Sequence, residues 1–306
     1  LPQQQPAGKH TERRYFIMKG NVIVGQSGGP TAAINSSLAG VYRTAKDRGA
    51  NKVYGMLFGI QGLLQERYID LSEYITNDLD TELLKRTPAA FLGSCRYKLP
   101  EIHENKDVYE KIFSILEKLD IEAFIYIGGN DSMDTIKKLS DYAIVTGYRT
   151  RFIGCPKTID NDLALTDHTP GYGSAAKYIG TSMKEIIRDS FCLEYEKGVV
   201  SIVEIMGRNA GWLTGAAALS KGEDCEGPDL IYLPELPFDL QLFGEKIKQL
   251  LQEKTSIVVA VSEGIRTEDG TYVCELGNSI DFVDAFGHKQ LSGTASYLAS
   301  YIAWEI

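Results

Sequence analysis

Short apolar runs alternate along the chain with segments of helical period, and Gly-rich polar turns separate many of them. Asn21 to Gly25, Val53 to Phe58 and Ala123 to Ile127 have the length and content of buried strands. So do the run ending at Phe152-Ile153-Gly154-Cys155, and Gly198 to Ile205, Leu230 to Leu233 and Ser256 to Val261. Between them, apolar positions recur every three or four residues. A helix after Thr31 would put Ile34, Leu38 and Val41 on one face, and one over 107–119 would do the same with Val108, Ile112, Ile115, Leu116 and Leu119. Further helices are expected from near Met133, over 174–187, over the Ala-rich 213–219, and near 238–253. Strands alternating with helices predict an α/β fold with mostly parallel, doubly wound sheets.

Length and composition narrow the field. The chain has 306 residues, enough for two α/β domains. Its net charge of −9 argues against nucleic acid as a main partner, because phosphate backbones demand an excess of Lys and Arg. A small phosphorylated ligand needs only a few local donors and stays possible. No apolar run reaches membrane-spanning length. The five cysteines are scattered, and none forms a C-x-x-C, so they read as reduced thiols of a cytoplasmic protein. The four histidines have no zinc-ligand spacing. Residues 1–17 lack periodicity and read as a tail foreign to the fold, with Met18 as a natural start.

The candidate chemistry sits in the turns. Pro156-Lys157-Thr158-Ile159-Asp160-Asn161-Asp162 leaves the strand ending at Cys155, and ligands of parallel α/β sheets bind outside the carboxyl ends of strands. Carboxylates there can take a proton or hold a cation. A capped turn is an equally fair reading of this stretch alone. Gln26-Ser27-Gly28-Gly29-Pro30-Thr31 joins a strand to a helix, the arrangement of a phosphate cradle, yet it is no Walker A sequence. Gly128-Gly129-Asn130-Asp131-Ser132 repeats the arrangement, and the two turns should share one edge of the sheet. Asp131 is out of place beside a phosphate. Arg96 and Lys98 follow a Gly-Ser turn and are either phosphate ligands or solvated surface cations.

Six stretches together resemble the phosphofructokinase family, in family order. They are Gly28 to Asn35, Gly93 to Arg96, Gly128 to Ser132, Pro156 to Asp162, Met206-Gly207-Arg208-Asn209-Ala210-Gly211-Trp212, and Ser262-Glu263-Gly264. The resemblance implies two Rossmann-like domains with the active site between them. It also implies phosphoryl transfer to the 1-hydroxyl of fructose 6-phosphate, with Mg²⁺. Asp160 would be the general base and Asp162 would support its loop. Gly29, Arg96, Asp131 and Ser132 would face the donor. Thr158, Ile159, Asp160, Met206, Gly207, Arg208 and Glu263 would meet the substrate, and Thr158 would bond the transferring group. Members are expected to be homo-oligomers, dimers or tetramers.

Two positions bear on the donor. ATP-using members usually carry Gly where this chain has Asp131, and Gly where it has Lys157. The sequence therefore resembles the pyrophosphate-dependent branch. An Asp side chain takes the space and the charge of an α-phosphate and so excludes ATP, while Lys157 neutralises pyrophosphate. The other readings are an ATP-dependent phosphofructokinase and a non-catalytic sugar phosphate-binding subunit or fragment. Asn130 stands where the family more often has a magnesium-associated Asp, so it is the candidate metal residue, ligating through its carbonyl or a water. Val199-Val200 replaces an Arg that reaches a neighbouring subunit's substrate in bacterial ATP enzymes. The expected division is a donor domain over 18–171, a sugar phosphate domain over 172–290 and the start of a return segment over 291–306. The family's clamp for the sugar 6-phosphate is not seen after Asp284-Ala285-Phe286-Gly287-His288-Lys289-Gln290.

Overall fold

The computed structural model describes residues 17–192, 196–277 and 291–305. The expected tail over 1–17 therefore lies outside the described residues except for Ile17, and Asp284 to Gln290 lies outside them entirely.

The chain opens with β1 (Asn21–Gln26), α1 (Ile34–Asp47), β2 (Val53–Met56), α2 (Gly59–Leu63), β3 (Tyr68–Asp70) and α3 (Asp78–Arg86). It continues through α4 (Lys106–Lys118), β4 (Ile121–Gly128), α5 (Asn130–Thr146) and β5 (Arg151–Pro156). These strands form one sheet in the order β3-β2-β1-β4-β5, parallel except where β3 runs against β2. Period-2 alternation sorts β1 between two cores. Val22 and Val24 pack with Ile34 and Leu38 of α1, whereas Ile23 packs with Phe124, Ile112 and Phe113 on the other face. Helices thus cover both faces, which is what near-continuous apolar strands require.

A second sheet follows. The second half of the chain runs through α6 (Tyr172–Phe191), β6 (Val199–Ile205), α7 (Trp212–Gly215), β7 (Leu230–Tyr232), α8 (Leu240–Glu253), β8 (Ser256–Ser262) and α9 (Thr294–Glu305), and its three strands form this sheet. The order is β6-β8-β7, all parallel. Every residue of the central β8 is buried. Ile257, Val259 and Val261 meet Phe243 and Ile247 of α8, while Val258 and Ala260 meet Met183 and Ile187 of α6.

The structure corrects several sequence expectations. The run at Phe152 to Cys155 is an edge strand, not the buried one expected, and Ile153 is 48 % exposed. β6 is likewise an edge strand and only partly buried. On α1 the buried face runs through Tyr42 and Ala45 while Val41 is only half-buried, because the contact with the sheet follows a turn of 3.6 residues. The expected helix over 213–219 becomes α7 followed by a 3₁₀ turn, Ala216–Ser220. Helix α5 starts at Asn130 instead of near Met133, so Asn130, Asp131 and Ser132 form its first turn.

Candidate active site

The C-terminal ends of β1, β4 and β5 lie side by side in the first sheet, so the turns leaving them converge. Together they line an open cleft of about 370 Å³. Its walls are Ser27 to Thr31, Gly129 to Ser132, Lys157 to Asp160, and Met206 from the second sheet. Neither α1 nor α5 has a side-chain cap at its N-terminus. Ile34 N of α1 already donates to Thr31 O at 3.2 Å, whereas the first turn of α5 lines the cleft, so it is the start of α5 that offers donors and positive dipole to an anion.

Lys157 is 5 % exposed, and its Nζ donates to the carbonyl of Gly29. Its backbone N–H donates to Gly128 O at 2.9 Å, which ties the loop to β4. Burial lowers its pKa and the nearby Asp160 carboxylate raises it, with burial the stronger. For Asp160, burial raises the pKa first and the charge of Asp162 raises it further; the hydrogen bond from Thr158 and the Lys157 charge only partly oppose them. Asp160 Oδ1 is buried without a hydrogen-bond partner.

The loop that carries Asp160 is over-determined. Asn161 sits at φ 57°, where an Asn is tolerated. Its side chain donates to Asp167 O at 3.1 Å and accepts from Thr169 N at 2.9 Å. Thr169 Oγ1 donates to Thr158 O at 2.8 Å, and Thr158 pairs with Gly171 in a single bridge. Asp162 is exposed, and what it brings to the site is charge.

In the second sheet, adjacent β6 and β8 end together. Gly207 N donates to Glu263 Oε1 at 3.2 Å, and Ser262 Oγ donates to Gly207 O at 2.6 Å. A Cβ on Gly264 would collide with the backbone of Arg208, so only glycine lets these two turns approach. Burial raises the Glu263 pKa, against the Gly207 amide and the Arg208 charge. The charges of Glu204 and, less strongly, Asp160 push it further up.

The structure thus brings Gly29, Asn130, Asp131, Ser132, Lys157, Thr158, Ile159, Asp160 and Met206 into one cleft, and sets Gly207, Arg208 and Glu263 beside one another. Arg96 is exposed in the adjoining loop, one residue after Cys95, whose carbonyl accepts from Gly28 N at 3.2 Å; it is outside the cleft lining. Reasoning from sequence gave no role to Thr31, Asn161 or Thr169. The signal for Asn161 was a positive-φ residue type between two carboxylates.

Asn130 is exposed in the cleft, and among the described residues no group of three His, Cys, Asp or Glu could hold a metal. The donor set fits a Mg²⁺ coordinated largely by phosphate oxygens, with at most a few protein oxygens added.

The Phosphofructokinase family profile matches residues 21–306. The chain is 42% identical over 290 residues to the pyrophosphate–fructose 6-phosphate 1-phosphotransferase of Xanthomonas campestris pv. campestris, covering 95% of this chain and 68% of that protein. It is 41% identical over 290 residues to the protein of the same name from Halomonas elongata, covering 94% and 67%. A crystal structure titled as the pyrophosphate-dependent phosphofructokinase of Nitrosospira multiformis superposes with a TM-score of 0.77 at 35% identity, over 94% of this chain and 66% of that one. The chain belongs to the phosphofructokinase family. It spans about two thirds of the length of these relatives.

Proposed function

We propose that this chain carries the catalytic centre of a phosphotransferase that moves a phosphoryl group from pyrophosphate to the 1-hydroxyl of fructose 6-phosphate. One observation carries the reading. Asp131 and the buried Lys157 line the same cleft as Gly29 and Asp160. A carboxylate in the first turn of α5 occupies space and charge that a third phosphate would need, and an ammonium opposite it suits a two-phosphate donor.

Asp160 takes the proton of the sugar hydroxyl on Oδ1, the oxygen left without a partner. Its raised pKa makes it a better base than an ordinary carboxylate. Thr158 holds the Asp160 backbone, its Oγ1 accepting from Asp160 N at 3.1 Å, and offers its hydroxyl proton to the transferring group. Lys157 and the amides at the start of α5 stabilise charge on the phosphates, and this is the main catalytic work in a loose transition state. Asn130 and neighbouring acidic oxygens would hold Mg²⁺, which when bound neutralises phosphate charge. Glu263, Gly207 and Arg208 hold the sugar phosphate, with Glu263 accepting from a sugar hydroxyl. Ile159 and Met206 wall the substrate side. Arg96 faces the donor from the adjoining loop. A cytoplasmic homo-oligomer, with a donor half over 18–171 and a sugar phosphate half over 172–290, belongs to the same proposal.

The test is a coupled assay for fructose 1,6-bisphosphate with pyrophosphate or ATP in parallel, on the wild type and Asp131→Gly. Wild-type turnover with pyrophosphate and gain of ATP use in the variant are expected. Wild-type turnover with ATP alone would sink the reading.

A further inference from the structure

Most hydroxyls around the donor cleft are engaged within the protein. Ser94 Oγ donates to Gly28 O at 2.5 Å, Ser27 Oγ reaches Cys95 O at 3.4 Å, and Thr169 Oγ1 donates to Thr158 O at 2.8 Å. Thr158 Oγ1 accepts from Asp160 N. Thr31 differs. Its Oγ1 is buried and has no hydrogen-bond partner, although Thr31 lines the same cleft as Gly28, Gly29, Asp131 and Lys157. A buried hydroxyl left unpaired costs roughly 1–3 kcal/mol. Such a group calls for a partner, and in a cleft a ligand oxygen can be that partner.

The neighbourhood keeps that hydroxyl in place. Gly171, at φ 115°, lies against the Thr31 side chain, and a Cβ there would come within 2.8–3.0 Å of Thr31 Cβ, Cγ2 and Oγ1. Gly171 also closes the Asp160 loop through its bridge to Thr158. Thr31 O accepts from Ile34 N at 3.2 Å, so its backbone is fixed to the start of α1. The hydroxyl therefore stands between the donor cradle and the segment that positions the base.

We propose that the Thr31 hydroxyl is a donor-binding group, giving its proton in a hydrogen bond to a phosphate oxygen of pyrophosphate. This rests on the donor reading given above. The hydroxyl discriminates by position: it adds a neutral donor beside the Lys157 cation, on the wall that also touches the Asp160 loop. A bound phosphate oxygen then satisfies a buried cleft hydroxyl that the protein leaves unpaired, while Asp160 Oδ1, also buried and unpaired, stays available for the sugar hydroxyl.

The experiment is isothermal titration of the full chain with pyrophosphate in the presence of Mg²⁺, on the wild type, Thr31→Val and Thr31→Ser, with fructose 6-phosphate titrated in parallel. Valine keeps the branched shape against Gly171 and removes only the hydroxyl. Expected is about tenfold weaker pyrophosphate binding in Thr31→Val, matching the loss of one hydrogen bond to a charged group. Thr31→Ser should stay within about twofold of the wild type on the same basis. Fructose 6-phosphate binding should be unchanged in both; the melting temperature should hold in Thr31→Ser and be no lower than the wild type in Thr31→Val, which removes the buried unpaired hydroxyl. Equal pyrophosphate affinity across the three chains would overturn the proposal, as would equal losses for both ligands in Thr31→Val. Should Thr31→Val unfold, Thr31→Ala and Thr31→Ser compared at equal folded fraction decide it the same way. A wild type that ignores pyrophosphate and binds ATP sinks the donor reading alone. The same chains titrated with ATP then decide Thr31: a loss confined to Thr31→Val upholds its role, and uniform affinity overturns it.

Discussion

Lys157 and Asp160 attract one another, yet burial outweighs that attraction at each: the lysine is pushed down and the carboxyl up. At both groups burial thus works against the charged form, a common cost of a built site. The sign of the pH dependence follows. A lysine whose folded pKa lies below its ordinary 10.5 destabilises fully below that lowered value, and the penalty fades as pH rises toward 10.5. Lys157→Met should therefore raise the denaturant midpoint at pH 7, with a gain that shrinks in alkali, while pyrophosphate turnover falls at least about a hundredfold. For Asp160 the order reverses. Its penalty is full above the raised pKa and fades as pH falls toward 3.8, so Asp160→Asn should stabilise at pH 7 and lose that advantage in acid. The wild-type rate should fall on an acid limb above the ordinary carboxylate range. Denaturation midpoints and rate profiles between pH 4 and 9 check both signs. A Lys157→Met chain less stable than the wild type at pH 7 would contradict the electrostatic account.

At the scale of elements, strands that carry a site differ in how firmly they are held. β8 is buried on both faces and delivers Ser262 and Glu263, so its end is rigid. β5 delivers Lys157 and Asp160 from an edge, and its loop needs its own bonds through Asn161 and Thr169. Ile257→Ala on β8 should cost about 3 kcal/mol, typical of a buried large-to-small change. Ile153→Ala on β5, at a half-exposed position, should cost well under about 1.5 kcal/mol. Urea titration followed by circular dichroism reads both. Asn161→Ala removes two loop bonds without touching either core, and should lower turnover about tenfold or more through misplacement of Asp160. Its measured kcat set against an unchanged far-ultraviolet spectrum checks that. The turn residues Gly28-Gly29 and Gly128-Gly129 were legible as a pair in the sequence, because a strand–Gly-Gly–helix pattern is local. The edge position of β5 was not, because a short apolar run reads the same at a centre and at an edge.

Over the whole molecule, a net charge of −9 opposes the approach of an anionic substrate that the cleft itself attracts. The long-range repulsion is screened beyond a Debye length, about 8 Å at 0.15 M salt, while the contacts at Lys157 are short and buried. The association rate of pyrophosphate should therefore rise, by about twofold, between 20 and 150 mM salt, and its dissociation rate should change less. Stopped-flow mixing at the two salt concentrations measures this. A falling association rate would mean that a local positive field governs the encounter.

The second sheet reaches this cleft through Met206. The order of motifs, the alternation of strands and helices, and the residue types at positions 131 and 157 all follow from local pattern, and the sequence alone determined them. What it could not determine is which side chains end up buried together. That Lys157 is enclosed and bonded to Gly29, that Asp160 Oδ1 and Thr31 Oγ1 are left without partners, and that Arg96 lies outside the cleft all depend on contacts between segments tens of residues apart. Desolvation and hydrogen-bond satisfaction are properties of a packed environment, so only the tertiary structure decides them.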